Sequence, residues 1–145
     1  MKAVVQRVSQ ASVSVNQSIT ASIDTGLCVF LGIHHHDTVT HSSWMIDKLL
    51  NLRVFPDQSG TMSYSIRDKH YGILIISQFT LYGDCQKGRR PSFTQAAPSE
   101  IAEPIYNTFI SMLSDTYAPS ASGIFGANMD ITLVNDGPVT LLLDR

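Results

Sequence analysis

The 145-residue chain is poor in cysteine, with two, and in charge, with 15% Asp, Glu, Lys and Arg; it also lacks any long apolar run. Cys28 sits in a strand-like apolar stretch and Cys85 in a polar one, and neither has a C-x-x-C partner. That usage excludes a disulfide scaffold and suits a reducing compartment, with Cys28 buried and Cys85 exposed and inert. The longest apolar stretch, residues 27–33, falls far short of the ~20 residues that a membrane-spanning helix needs. No basic start is followed by an apolar run and a small-residue cleavage site, so the expectation is a soluble, unexported, cytoplasmic protein with no membrane partner. A net charge of −2 argues against indiscriminate coating of nucleic acid, although a local basic patch could still hold a phosphate backbone. There is no Walker loop, no G-x-S-x-G and no H-E-x-x-H.

What is present is a globular composition. The hydrophobic fraction of 43% supports a core, and no linker, repeat or low-complexity tract interrupts it, so residues 1–145 read as one domain. Residues 4–8 are rich in valine. Ala11, Val13 and Val15 alternate with polar neighbours, and Ile19, Ala21 and Ile23 resume that period of two after an Asn16-Gln17-Ser18 turn. Residues 27–33 read as a central strand covered on both faces. A helix capped by Asp37 or Thr38 is expected to run to Asn51, with Trp44, Met45, Leu49 and Leu52 on its apolar face and Ile46 and Leu50 widening it. A short strand at residues 52–55, a turn at 56–60 and a strand at 73–76 follow. A second long helix begins near Pro98, carries Ile101, Ile105, Phe109 and Leu113 as its stripe with Tyr106 and Met112 flanking it, and tolerates Pro104 only near its first turn. Strands at Ile124-Phe125, 130–134 and 139–143 complete an α+β fold with a largely antiparallel, barrel-like sheet and two main helices.

Four segments carry polar chemistry. Ser77-Gln78-Phe79-Thr80 ends an apolar strand. If the chain bends there, the Gln78 and Phe79 N–H groups leave the ladder and can face a developing oxyanion; otherwise it is an ordinary strand end. Asn135-Asp136-Gly137-Pro138 between apolar strands reads as a hairpin turn or as the site of a cis Gly-Pro bond. Lys87, Arg89 and Arg90 form the one dense basic cluster, either solvated or aimed at phosphate. His34, His35, His36 and His41 suggest a metal at first sight. Adjacent histidines cannot converge on one ion in a strand or helix, so a polar loop without metal is expected.

Together these segments resemble the bacterial and eukaryotic D-aminoacyl-tRNA deacylase family over essentially the whole chain. The resemblance lies in the opening MKAVVQRVSQASVSV (1–15), SQFTLY (77–82), KGRRPSF (87–93), GANM (126–129) and VNDGPVT (134–140). Residues 83–86, Asn128 and Ser63-Tyr64 depart from the pattern, none of them at an expected catalytic position. The resemblance implies a cofactor-free homodimer acting on the 3′ end of aminoacyl-tRNA, with active sites at the interface. Ser77, Gln78, Phe79 and Thr80 would be catalytic, and Lys87, Arg89 and Arg90 would contact phosphate. Phe125, Met129 and Ala102 would line the pocket near the terminal adenosine. Gly137 and Pro138, held by Arg7, would bind the α-amino group from the partner subunit and exclude L side chains, leaving glycyl-tRNA (including glycine mischarged on tRNA-Ala) as a further substrate. For mechanism, attack by Thr80 competes with water activated by the ribose 2′-hydroxyl. The second is favoured because a lone threonine without a base is a poor nucleophile. A non-catalytic RNA-binding module and a general serine esterase using Ser77 are the alternatives; the latter lacks an obvious histidine partner.

Overall fold

The computed structural model describes all 145 residues. Its strands are β1 (Lys2–Val15), β2 (Ser18–Ile23), β3 (Gly26–Gly32), β4 (Phe55–Pro56), β5 (Met62–Tyr64), β6 (Gly72–Ser77), β7 (Ser120–Ser122) and β8 (Asp130–Asp144). The helices are α1 (Val39–Asn51), α2 (Ile66–Lys69) and α3 (Ser99–Thr116), with a 3-10 turn at Phe79–Tyr82. β1 organises the sheet. It pairs antiparallel with β3 through its first half, with β2 through its second, and with β8 along its other edge. β3–β6 and β6–β7 are parallel, so the sheet is mixed and curls into a nearly closed barrel, as the α+β reading expected.

Alternation along β1 fills two cores. Ala3 and Val5 join a large cluster with β3, β6, α1 and α3, whereas Val8 turns to a smaller cluster with Cys28, Leu74 and Ile76. Beyond Gln10 the odd-numbered Ala11 and Val13 enter the smaller cluster instead. Register irregularities opposite Gln6–Val8 and Val8–Gln10 account for the switch, since an extra residue reverses which parity faces a core. Burial of Cys28 raises its thiol pKa to about 12, which leaves it an inert core residue, while Cys85 is exposed. No helix is long and apolar enough to cross a membrane.

α1 begins after Thr38, whose backbone N–H donates to His41 Nδ1 at 3.1 Å, and buries Met45, Ile46, Leu49 and Leu50. In α3 the buried face is Ala102, Tyr106, Phe109 and Leu113, while Ile101 is exposed. The expected stripe is thus rotated, because the Tyr106 hydroxyl donates to the Ile75 carbonyl (3.1 Å) and fixes which side meets the sheet. Pro98 caps α3 rather than starting it, and Pro104 lies in the second turn. Two further expectations are corrected, and one element is new. Ile124-Phe125 lies in a turn, and the neighbouring strand is Ser120–Ser122, an unlikely composition stabilised by pairing with Ile73–Ile75 in spite of propensity. The short α2 was not anticipated. And residues 130–144 form one strand, not a hairpin, because β1 is long enough to pair with both of its halves: Asn135 faces Val8 and Thr140 faces Gln6. The turn chemistry of residues 136–138 produces a bulge instead of a reversal.

Candidate active site

β6 is buried on both faces up to Ile76, where it holds its register beside β3. Past Ser77 the Gln78 N–H still donates to the Leu31 carbonyl, at 2.8 Å. The chain then leaves the sheet for the 3-10 turn, anchored by buried Tyr82. The expected pair of free amides is therefore shifted by one residue. Gln78 N–H is consumed by the ladder, and Phe79 and Thr80 supply the first N–H groups of the turn, which have no acceptor within the turn itself, as at any helix start. The Gln78 side-chain amide donates to the Thr80 hydroxyl.

Ser77, Gln78 and Phe79 form one wall of a cavity of about 900 Å³, within the size range of small-molecule sites. Its other walls come from the segment before α3 and from the loop between β7 and β8, and include Phe93, Ala97, Ala102, Phe125 and Met129. Phe79, more than half exposed, meets Phe93 edge-on at 5.1 Å, and Phe125 lies against Tyr106. Such rims can stack on a base. None of the lining residues is Asp, Glu, His, Lys or Arg. The structure thus brings Ser77, Gln78, Phe79, Ala102, Phe125 and Met129 together. Thr80 does not line the cavity but is tied to Gln78. Phe93 and Ala97 escaped the sequence reading; Phe93 ends the quoted basic-loop segment, which was the available clue.

Lys87, Arg89 and Arg90 are exposed on a loop whose neck is closed by reciprocal backbone bonds between Asp84 and Ser92, at 2.8 and 2.9 Å. The loop leads directly into Phe93 at the cavity wall.

Gly137 and Pro138 stand apart from this cavity on the exposed bulge of β8, joined by a cis peptide bond. The bulge is tied down by polar side chains. Asn135 Nδ2 donates to the carbonyls of Arg7 and Val139, each at 3.0 Å. The buried Arg7 guanidinium donates to the Val54 carbonyl and pairs with Asp136, its Nε 2.8 Å from the carboxylate but off hydrogen-bonding alignment. Gly137 has φ of +115°, and a Cβ there would lie 2.7 Å from Arg7 Nη2, so only glycine fits without displacing the guanidinium. Asn135 is a residue the sequence reading quoted but gave no role.

Residues 34–37 form the polar loop expected ahead of α1, so the constraint that a strand or helix puts on adjacent histidines does not apply to them. The ligand nitrogens of His34, His35 and His36 lie within 4.8 Å of one another.

With this geometry in view, comparison with known proteins is specific. The family model described as D-Tyr-tRNA(Tyr) deacylase matches residues 4–144. A D-aminoacyl-tRNA deacylase of Petrotoga mobilis is 53% identical, covering 99% of this chain and 97% of its own length. One from Desulfotalea psychrophila is 51% identical over the same shares. Among solved structures, a protein described as c-Myc DNA Unwinding Element Binding Protein superposes with a TM-score of 0.94 at 48% identity, covering 100% of this chain and 99% of its own. A probable eukaryotic D-amino acid tRNA deacylase superposes at 0.89 with 17% identity, covering 99% and 98%; at that identity the likeness shows the fold.

Proposed function

The chain belongs to the D-Tyr-tRNA(Tyr) deacylase family and hydrolyses the ester of D-aminoacyl-tRNA; from that premise we propose a site built from two copies and worked by backbone groups. The observation that carries this reading is that a cavity of about 900 Å³ is lined by Phe79, the first residue of a 3-10 turn, yet by no ionisable side chain. Such a cavity offers no protein base of its own. The reaction then rests on positioning and oxyanion stabilisation, where each donor is worth about 3–4 kcal/mol in favourable cases. The Phe79 N–H, on the cavity wall, holds the tetrahedral oxygen, and the terminal ribose 2′-hydroxyl assists water. The Thr80 hydroxyl is held by a carboxamide N–H, which cannot accept its proton, so attack by Thr80 is the weaker account.

Phe79, Phe125, Met129 and Ala102 receive the terminal adenosine, and the basic loop carrying Lys87, Arg89 and Arg90 meets the phosphates that follow. Gly137 and Pro138 do not reach the Ser77 cavity of their own chain, and they are exposed on the outer strand β8. In a homodimer the bulge of a second copy enters the cavity, its carbonyls accept the substrate's α-ammonium hydrogens, and an L side chain collides with it. Discrimination by exclusion leaves the D side chain free, so several D-amino acids and glycine, including glycine mischarged on tRNA-Ala, are substrates. The cytoplasm, where aminoacyl-tRNA is used, is the proposed location.

The test is hydrolysis of D-tyrosyl-tRNA against L-tyrosyl-tRNA by purified protein, with Gly137→Ala alongside. The wild type should cleave only the D-ester. In the variant, the added Cβ displaces Arg7 and the bulge, and the D-to-L rate ratio should fall about 100-fold, the usual cost of an ångström-scale misplacement. An unchanged ratio in folded variant would remove the bulge from chiral selection. Stability of both esters with wild type would return the chain to the RNA-binding alternative, and cleavage of simple activated esters would favour the Ser77 esterase.

A further inference from the structure

We propose that His34, His35 and His36 form a binding site for a late divalent transition-metal ion such as Zn²⁺ or Ni²⁺. Three successive residues in a turn present their rings together: centroids lie 4.0 Å apart for His34–His35, 4.2 Å for His35–His36 and 5.2 Å for His34–His36. Their ligand nitrogens are already within 4.8 Å of one another, and closing on an ion at ~2.0–2.1 Å per Zn–N bond needs only rotation of exposed rings. His35 is prepared for this. Its Nδ1 lies 3.3 Å from the Gln95 carbonyl, which can only accept, so Nδ1 carries the proton and Nε2 keeps its lone pair for a metal. A backbone carbonyl holding the far nitrogen is the usual support for a ligating histidine. His36 is exposed, with no hydrogen bond to its ring. The His34 ring takes one hydrogen bond, from the His36 N–H to its Nδ1 at 3.2 Å, a long bond given up on coordination. Asp37, the nearest carboxylate, is engaged by the Met1 ammonium at 2.7 Å, which leaves an all-imidazole donor set. Such a set selects Zn²⁺, Ni²⁺ or Cu²⁺ over the oxygen-seeking Mg²⁺ and Ca²⁺.

The site would also couple to the cavity. His34 bridges to Ala96, and His35 reaches Gln95, so a bound ion cross-links the histidine turn to the segment supplying the Phe93–Ala97 wall. Titration calorimetry with Zn²⁺ and separately Ni²⁺, in a non-chelating buffer, tests the proposal on the full-length protein. One ion per chain is expected, with affinity at least tenfold weaker in His35→Ala and in His36→Ala and unchanged in His70→Ala, which removes a histidine elsewhere. Because both His35 and His36 are exposed, the variants should fold. Zn²⁺ should raise the Tm of the wild type, by binding linkage, and not that of His35→Ala. Equal binding by wild type and His35→Ala, comparable loss in His70→Ala, or displacement of Zn²⁺ by a hundredfold excess of Mg²⁺ would overturn it.

Discussion

The two segments that make the proposed site are held in place by different means. Ser77–Phe79 is the continuation of a strand whose residues 73–76 are buried on both faces, and its direction is set by the packing of β3 against β6. The Gly137–Pro138 bulge lies on an outer strand with exposed neighbours, and its shape depends on three side chains: Asn135, Arg7 and Asp136. The first is a product of core formation, where each buried Leu or Ile contributes about 1.5–3 kcal/mol. The second is a small polar network over little buried area. Precision can therefore be lost in two ways, by unfolding on the cavity side and by local slackening on the bulge side.

Three substitutions sharpen that contrast. Gly26→Ala should have the largest effect, because a Cβ there would lie 1.9 Å from the Gly72 carbonyl oxygen, where β3 and β6 run side by side. Backbone cannot move aside as a side chain can, so the loss should reach or exceed the roughly 1–3 kcal/mol typical of overpacking. Chemical denaturation would measure it, and a loss under 1 kcal/mol would mean the strand pair is softer than its burial suggests. Asn135→Ala should come next. It leaves the Arg7 and Val139 carbonyls without their donor, costing about 1–3 kcal/mol, but its distinguishing effect should be on selectivity. The D-to-L ratio should drop while kcat on the D-ester changes less, and Asn135→Asp, whose carboxylate donates no hydrogen bond, should not restore it. If stability and selectivity fell in proportion, the bulge would be part of the core's cooperative unit. Thr80→Ala should have the smallest effect, a reduction in kcat within about tenfold from losing one hydrogen bond. A reduction of a thousandfold or more with tRNA binding retained would instead identify Thr80 as the nucleophile.

Much of this was legible in the chain. Alternation at Ala11, Val13 and Val15 marked β1, the unbroken apolar run from Leu27 marked the central strand, and Thr38 marked the start of α1. The residues gathered around the cavity came from recognising sequence segments, because no periodicity brings Ala102 beside Phe125. What escaped has physical reasons. Whether Asn-Asp-Gly-Pro reverses a chain or only bulges depends on the partner strand, and β1 extends past both of its ends. Ser120-Ala121-Ser122 has no strand propensity and owes its conformation to Ile73–Ile75. Gln78 keeps its bond to Leu31 because the sheet ends one residue later than the composition indicates. The loop at residues 34–37 was legible between the apolar strand and the helix, but the approach of its three rings depends on side-chain conformations that spacing does not carry.

β1 and β8 join residues 2–14 to residues 130–144, the most distant partners in the chain. Contacts of such separation form slowly, since the intervening loop must close before they contribute. On the ribosome, residues 2–14 therefore emerge long before the strand that covers their outer edge. Through most of synthesis that edge is an open template of N–H and C=O groups beside valines, the kind of surface that recruits chaperones or other nascent chains. The bulge that would select the substrate's handedness also forms at this final pairing. A chain arrested before residue 130 would own the Ser77 segment and still lack the strand on which the proposed selection depends.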